Sequence, residues 1–200
     1  MKSLTTGSLA THESEHDNYK EQSLRGYLRD GTSANHQRVD EQFARFNLND
    51  RHDYISFLSA HARALLPIEA ALDQQGAHRI IPEWSARRRS DMLCADLNRL
   101  NAEIPPSLAA PQLKSDAQIW GAAYVLEGSK LGGAFLAKGV PDNFPTSFLT
   151  PNMAKGSMKL FMDSLDRADV DHPVEALGAA AAVFGLFLQA ARLERERLVS

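Results

Sequence analysis

Three glycines interrupt a stretch of sequence that otherwise has the pattern of one amphipathic helix. Gly128, Gly132 and Gly133 lie within it, and each costs about 1 kcal/mol relative to alanine inside a helix. Glycine has no side chain, so a ligand or another backbone can lie directly against the helix. Gly128 and Gly132 are four residues apart and therefore share one face. That face suits either a flat ligand or close packing with a second helix, and this segment alone leaves both interpretations open.

A histidine near the start of the chain lies on a predicted helix with an apolar stripe. The stripe consists of Leu24, Leu28, Thr32, Val39, Phe43 and Phe46. A histidine in this setting is commonly a hydrogen-bonded core residue, but His36 also has the chemistry of an axial ligand to heme iron. Arg29 precedes it on the same face, about 10.5 Å away along the helix axis. A guanidinium at that distance can pair with a carboxylate, which matches a central metal with peripheral propionates.

Taken together, the two segments resemble the bacterial heme oxygenases. The motif L-R-x-x-T-x-x-x-H ends at His36, and Y-V-L-E-G-S-x-L-G-G begins at Tyr124. The resemblance is closest to the biliverdin-producing enzymes associated with bacteriophytochromes, and it extends over about residues 24–195. Further matching segments are Phe46–Asp50, Tyr54–Leu58 with His61, Pro67–Glu69, Arg87–Arg89 and Asp96–Leu97.

The resemblance implies which residues bind heme. His36 corresponds to the family's proximal iron ligand, and it is the metal ligand that the sequence predicts. Arg29 and Tyr124 correspond to positions that contact heme propionates. Phe184, on the last predicted helix, is expected to form part of the pocket wall, and Gly133 lies beside the two distal glycines.

The catalytic face implied by the resemblance consists of Gly128, Ser129 and Gly132. In this family the backbone of the two glycines touches the heme on its distal side. Mammalian members have a carboxylate at the position of Ser129. Bacterial relatives lack it, and ordered water is assigned its work. The loop from Phe144 to Pro151 has no clear counterpart in the family.

The implied reaction is oxidative cleavage of heme b to biliverdin, carbon monoxide and ferrous iron. It consumes O2 and electrons from an external reductant, with a ferredoxin or another electron donor and a bacteriophytochrome as the biliverdin acceptor among the expected partners. The alternative is a non-catalytic heme- or bilin-binding regulatory protein of the same fold. A related helical fold acting on thiamin-like compounds is disfavoured, because the sequence has no matching cysteine nucleophile pattern.

Composition favours a small soluble enzyme. The chain has 200 residues, 44% of them hydrophobic, and a net charge of −3, so we expect one domain and no nucleic-acid partner. The single cysteine, Cys94, cannot form an internal disulfide and fits a cytoplasmic location. Residues 1–20 lack the apolar core of a signal peptide and are expected to form a flexible polar tail before a domain over 21–200. The apolar run at 176–187 is expected to be too short for a membrane span.

Helical periodicity dominates the elements that position these residues. The periodicity predicts an all-α, single-domain protein, and the resemblance implies a heme oxygenase-like helical bundle with heme between the proximal helix, which carries His36, and the distal helix, which carries Gly128 and Gly132. The helices are expected at about 22–46, 51–74, 84–101, 116–138, 153–168 and 173–198. Ser115 and Gln118 have the spacing of a capping box at the start of the fourth helix. His61 is expected to be a core histidine bonded to the backbone. Arg87–Arg89 is interpreted as a solvated helix start, in preference to a binding site for an acidic partner such as a ferredoxin.

Overall fold

The computed structural model describes residues 22–199, so the predicted N-terminal tail lies outside the described residues. Helices and two 3-10 turns, at Ala77–Arg79 and Ala137–Gly139, account for the regular structure of this part of the chain, and it contains no strand. The helices are α1 Leu24–Phe43, α2 Arg51–Gln74, α3 Trp84–Arg87, α4 Ser90–Arg99, α5 Asp116–Leu136, α6 Ser157–Asp166 and α7 Pro173–Leu198. The prediction of an all-α fold is confirmed.

The bundle is organised around α7. This helix packs extensively against α1, α2 and α5, and α2 also packs against α4. The apolar side chains between these helices form one core that includes Leu28, Phe57, Leu65, Ala180 and Val183. Because α7 touches both helices that carry the predicted site residues, it fixes the distance between α1 and α5.

Side-chain caps explain where two of the longest helices begin. The Ser115 hydroxyl accepts a hydrogen bond from the Gln118 amide at 3.3 Å, as the capping-box spacing predicts. The Gln118 side chain reaches back one residue further and accepts from the Lys114 amide at 2.6 Å. At the start of α2, the Asp50 carboxylate accepts from the amides of residues 52 and 53. These bonds satisfy amides that a helix N-terminus leaves without partners.

The predicted third helix is two helices, which corrects the sequence-based prediction. The chain becomes extended at Arg88, with ψ near 144°. The Glu69 carboxylate then accepts hydrogen bonds from the amides of Arg89 and Ser90, at 2.8 and 3.0 Å. A buried carboxylate from α2 therefore acts as the cap of α4. A cap supplied by a residue so distant in sequence cannot be seen in local periodicity.

The fifth predicted helix also begins later than expected. α6 starts after Gly156, whose φ of 87° lies in the left-handed region. Only glycine adopts this conformation without strain, so the helix starts at Ser157 and not near Asn152. The other boundaries agree with the predictions to within about three residues.

By length and composition alone, α2 and α7 are long and apolar enough to cross a membrane, which differs from the expectation for the 176–187 run. Within the bundle, however, 67% and 44% of their most apolar windows are buried. Burial against other helices is what the core helices of a globular protein show.

Candidate active site

One face of α5 is open and apolar. A β-carbon added at Gly128 or Gly132 would meet no atom of the described residues within 4 Å. Leu131 and Phe135 lie beside these glycines and are 65% and 75% exposed. We call the surface formed by Gly128, Leu131, Gly132 and Phe135 the open glycine face. Large exposed apolar side chains around bare backbone are typical of a ligand-binding surface, and no helix among residues 22–199 packs against these two glycines.

Two other glycines of α5 do serve close packing. A β-carbon at Gly121 would lie 2.0 Å from the carbonyl oxygen of Ala176, on α7. A β-carbon at Gly133 would lie 2.3 Å from the carbonyl oxygen of Leu149. The missing side chain of Gly133 is thus explained by packing, and its contact with a ligand stays a prediction. Gly121 was not singled out in the sequence, although it is seven residues before Gly128 and shares its helical face.

His36 is accessible on α1. Its side chain is 60% exposed, although Leu24, Leu28 and Thr32 on the same stripe are buried. The ring packs edge-on against Phe184 of α7, with centroids 5.8 Å apart. Nδ1 of His36 lies 3.1 Å from the carboxylate of Asp40, one turn later. A carboxylate partner on Nδ1 fixes the ring orientation and leaves Nε2 free for a metal. Asp40 was missed, although its i,i+4 spacing is visible in the sequence.

Arg29 and Tyr124 come within electrostatic reach of each other, one on α1 and the other on α5. The Arg29 side chain is 72% exposed and bonds the neighbouring Asp30 carboxylate at 2.9 Å. That hydrogen bond raises the pKa of the Arg29 guanidinium. Tyr124 is half-buried, and burial raises the pKa of its phenol. The structure therefore brings together the two residues predicted to contact propionates.

The described residues contain no group of three or more His, Cys, Asp or Glu side chains arranged to hold a metal ion. A metal at His36 would need its other ligands from elsewhere. A tetrapyrrole supplies four nitrogen ligands in a plane, and a single axial histidine is then sufficient. Exposed apolar edges on α5 agree with a ligand of this type.

Solved structures of other proteins share this helical architecture. A solved heme oxygenase from Neisseria meningitidis, described in its NO- and CO-bound forms, aligns with a TM-score of 0.74 at 22% identity, covering 86% of this chain and 92% of that one. The heme oxygenase from Leptospira interrogans aligns at 0.67 and 19% identity, covering 85% and 98%. The fold is that of the heme oxygenases.

The similarity in sequence is more limited than the similarity in fold. A curated heme oxygenase from Xanthomonas campestris pv. campestris (strain 8004) is 34% identical over 89 residues, which is 44% of this chain and 53% of that protein. The alignment thus spans about half the length of this relative. No family model matches the chain.

In this heme oxygenase fold, the buried side chain of Arg89 holds the Ser129 hydroxyl on α5. The Ser129 hydroxyl donates to the carbonyl of Leu126 at 2.7 Å and accepts a hydrogen bond from Arg89 at 2.5 Å. The Arg89 guanidinium also lies over the Phe148 ring, 4.7 Å from its centroid. Burial lowers the pKa of Arg89 to about 10, so it keeps its charge at neutral pH. Its Nε is buried and has no partner among residues 22–199.

The interpretation of Arg87–Arg89 as a solvated helix start is wrong. Arg87 and Arg89 are each only 3% exposed, and Arg88 alone reaches the surface, where it pairs with Asp73 at 3.0 Å. Arg87 bonds the buried carboxylate of Glu127 on α5 at 3.0 Å. Burial of a guanidinium is tolerated when its charge and donors are matched, and the partners here are far away in sequence.

The loop after α5, which had no counterpart in the sequence comparison, is bound to the core. The Tyr54 hydroxyl donates to the carbonyl of Pro145 at 2.7 Å, and the Phe148 amide donates to the Asp96 carboxylate at 2.8 Å. Phe148 also packs against His61, whose Nδ1 bonds the carbonyl of Phe57 at 2.8 Å. The prediction of a backbone-bonded core histidine is confirmed. Burial lowers the pKa of His61 to about 3.

Proposed function

We propose that this chain is a heme oxygenase that cleaves heme b to biliverdin, carbon monoxide and ferrous iron. The observation that carries the proposal is the open glycine face, where a helix in the core exposes bare backbone flanked by Leu131 and Phe135. A flat apolar ring that covers this surface would gain about 25 cal/mol of binding free energy for each Å² of apolar surface removed from water. The curated relative and both structural neighbours carry the name heme oxygenase.

Residues of α1, together with Tyr124 of α5 and Phe184 of α7, would bind and orient the ring. His36 would hold the iron through Nε2, while Asp40 holds the imidazole at Nδ1. Arg29 would recognise a propionate by its charge, and Tyr124 would do so as a hydroxyl donor. Phe184 supports the histidine ring from α7. This set of contacts would define both the position of the ring and its rotation in the site.

The residues of α5 govern the other side of the ring. Heme supplies the iron at which O2 is activated, with electrons from an external reductant. Gly128 and Gly132 present backbone and no side chain, so the protein cannot block that position with a second ligand. Ser129 is turned to the flank, where Arg89 fixes its hydroxyl. The Ser129 oxygen and the backbone of α5 can hold water that delivers protons.

The proposal extends to where the chain is located and to the partners with which it exchanges electrons and biliverdin. We assign the chain to the cytoplasm, with a ferredoxin or another donor as its electron source and a bacteriophytochrome as a biliverdin acceptor. A surface cleft lined by Gln42, Arg45, Arg192, Arg195, Glu196 and Val199 lies at the end of α1 and α7. Three of these six side chains are arginines, which suits an acidic electron donor.

The proposal is tested by titrating the purified chain with hemin and then adding reductant in air. We expect one hemin per chain and a Soret band that gives way to a biliverdin spectrum. His36→Ala should abolish the ferric spectrum of the parent while leaving the circular dichroism unchanged, because its side chain is mostly exposed.

The matched control is His52→Ala, an exposed histidine at the start of α2. This variant should bind hemin as the parent does. An unchanged spectrum in His36→Ala would assign the iron to another ligand. Tight hemin binding without biliverdin formation would favour a non-catalytic heme- or bilin-binding protein of the same fold.

A further inference from the structure

Three charged side chains are buried behind α5, on the side away from the open glycine face. We call Arg87, Glu127 and Lys130 the rear charge cluster; their side chains are 1%, 1% and 2% exposed. Successive residues of a helix are rotated by about 100°, so Glu127 and Lys130 point about 150° away from Gly128 and Gly132. The cluster and the open glycine face therefore occupy opposite sides of the same two turns.

Almost every polar atom of the cluster has a defined partner. The Arg87 guanidinium donates to Glu127 at 3.0 Å, to the carbonyl of Ser157 at 2.9 Å and to that of Pro82 at 2.6 Å. The Lys130 ammonium pairs with the second oxygen of Glu127 and donates to the Arg87 carbonyl at 2.9 Å. The cluster thereby links α5 to α3 and to the start of α6.

This arrangement is not explained by stability alone. Buried ion pairs are often no more stabilising than apolar residues of similar volume, because each charge loses its hydration. Burial lowers the pKa of Lys130, as expected for an ammonium that has lost its hydration. What charged pairs with fixed donor geometry add is directional specificity, since they can be satisfied in one arrangement only.

A helix with a bare face needs such a constraint. On the open side of α5 no side chain of the described residues packs at Gly128 or Gly132, so contacts there cannot fix its rotation. The N-terminal half is held by close contact between Gly121 and Ala176. The C-terminal half is held at its rear and its flank by the close contact between Gly133 and Leu149, by the cluster and by the Arg89–Ser129 bond.

We propose that Glu127, Lys130 and Arg87 are positioning residues that set the height and rotation of α5 over the ring and thereby determine which meso carbon is cleaved. The inference rests on the proposed function. The residues touch neither ring nor iron, and they act through the backbone of Gly128 and Gly132. Loss of the cluster should leave α5 helical but free to rotate or to move away from the ring.

The test uses Lys130→Met and Glu127→Gln, which keep side-chain volume, and Glu127→Asp, which keeps the charge but shortens its reach. Amide hydrogen exchange of the heme-free chain is measured on peptides covering 124–136. We expect exchange there to be at least about tenfold faster than in the parent. The second readout is the ratio of biliverdin isomers, which should become a broader mixture.

The matched control is Glu194→Gln, which breaks a buried ion pair between Arg63 on α2 and Glu194 on α7. This variant should lose stability yet keep the parental exchange in 124–136 and the parental isomer ratio. Cluster variants that fold but match the parent in both readouts would overturn the inference. If the parent itself forms no biliverdin, the proposed function fails, and hydrogen exchange alone then decides whether the cluster fixes α5.

Discussion

Neighbouring glycines on α5 have opposite surroundings. Gly132 faces open space, whereas a β-carbon at Gly133 would lie 2.3 Å from a backbone oxygen of Leu149. Neither glycine has a positive φ, so neither is required by the backbone conformation. The chain thus carries two adjacent glycines, one facing open space and one required for close packing.

Alanine substitution should separate the two roles. Gly132→Ala is expected to raise the free energy of unfolding by up to about 1 kcal/mol, because alanine is the better helix former, while hemin affinity falls. Gly133→Ala should lower the free energy of unfolding by about 1–3 kcal/mol, since the Leu149 backbone must move. Urea denaturation of the heme-free chain measures the two changes in the free energy of unfolding, and hemin titration measures the affinity. Effects of the same sign in the two variants would contradict the open surroundings of Gly132, and an unchanged hemin affinity in Gly132→Ala would contradict its assignment to the ligand.

His61 makes stability depend on pH in a defined window. Its pKa in the folded chain is about 3, below the ordinary value of 6.5, so the unfolded chain takes up a proton first on acidification. The contribution of neutral His61 to the free energy of unfolding is complete above about pH 6.5 and is lost progressively as the pH falls towards 3. Between pH 7 and pH 5 this costs at most about 2 kcal/mol. His61→Phe should show a correspondingly smaller drop in urea midpoint over that range, and equal drops in both chains would refute the assignment.

At the scale of elements, the break between α3 and α4 depends on one buried carboxylate. Glu69 is 2% exposed and accepts from the two amides that start α4. Glu69→Ala removes this cap and leaves the charge of Arg89 less compensated. We expect a loss of about 2–4 kcal/mol in the free energy of unfolding. Asp91→Ala, in the exposed first turn of the same helix, is the control and should change it by less than about 0.5 kcal/mol.

The sequence predicted elements well where the determinants are local. The bounds of α2 and α7 and the cap at Ser115 followed from periodicity, a proline at the first helical position and a capping box. Predictions failed where a distant group decides the local structure. The split at Arg88 needs Glu69, and the burial of Arg87 needs Glu127, forty residues later. Among the site residues, His36 and the open glycines were visible as spacing, but the role of Arg89 depends on tertiary packing.

At the scale of the whole molecule, the helices that carry the proposed heme-binding residues, α1 and α5, are held together mainly through α7. We call α1 and α5 the two walls of the proposed site. α1 and α5 each pack extensively on α7 but make few contacts with each other. Phe184 of α7 supports His36, and Ala176 of α7 meets Gly121. A ligand between the walls would therefore add a direct connection that the heme-free protein largely lacks.

Hemin should accordingly stabilise the molecule and slow exchange in both walls. A ligand that binds only the folded chain adds about 2.7 kcal/mol at a free concentration of one hundred times Kd. We expect a higher Tm with hemin, and slower amide exchange on α1 around His36 and on α5 at 124–136, while α6 remains unchanged. Both walls should respond because the ring is bound to α1 through its iron and lies on α5 through its face. In His36→Ala the bond between α1 and the iron is lost, so hemin should raise the Tm less than it does in the parent. Any remaining protection from exchange should be smaller on α1 than on α5. Protection confined to α5 in the parent would show that hemin binds the apolar surface without using His36, and the site would then have only one wall.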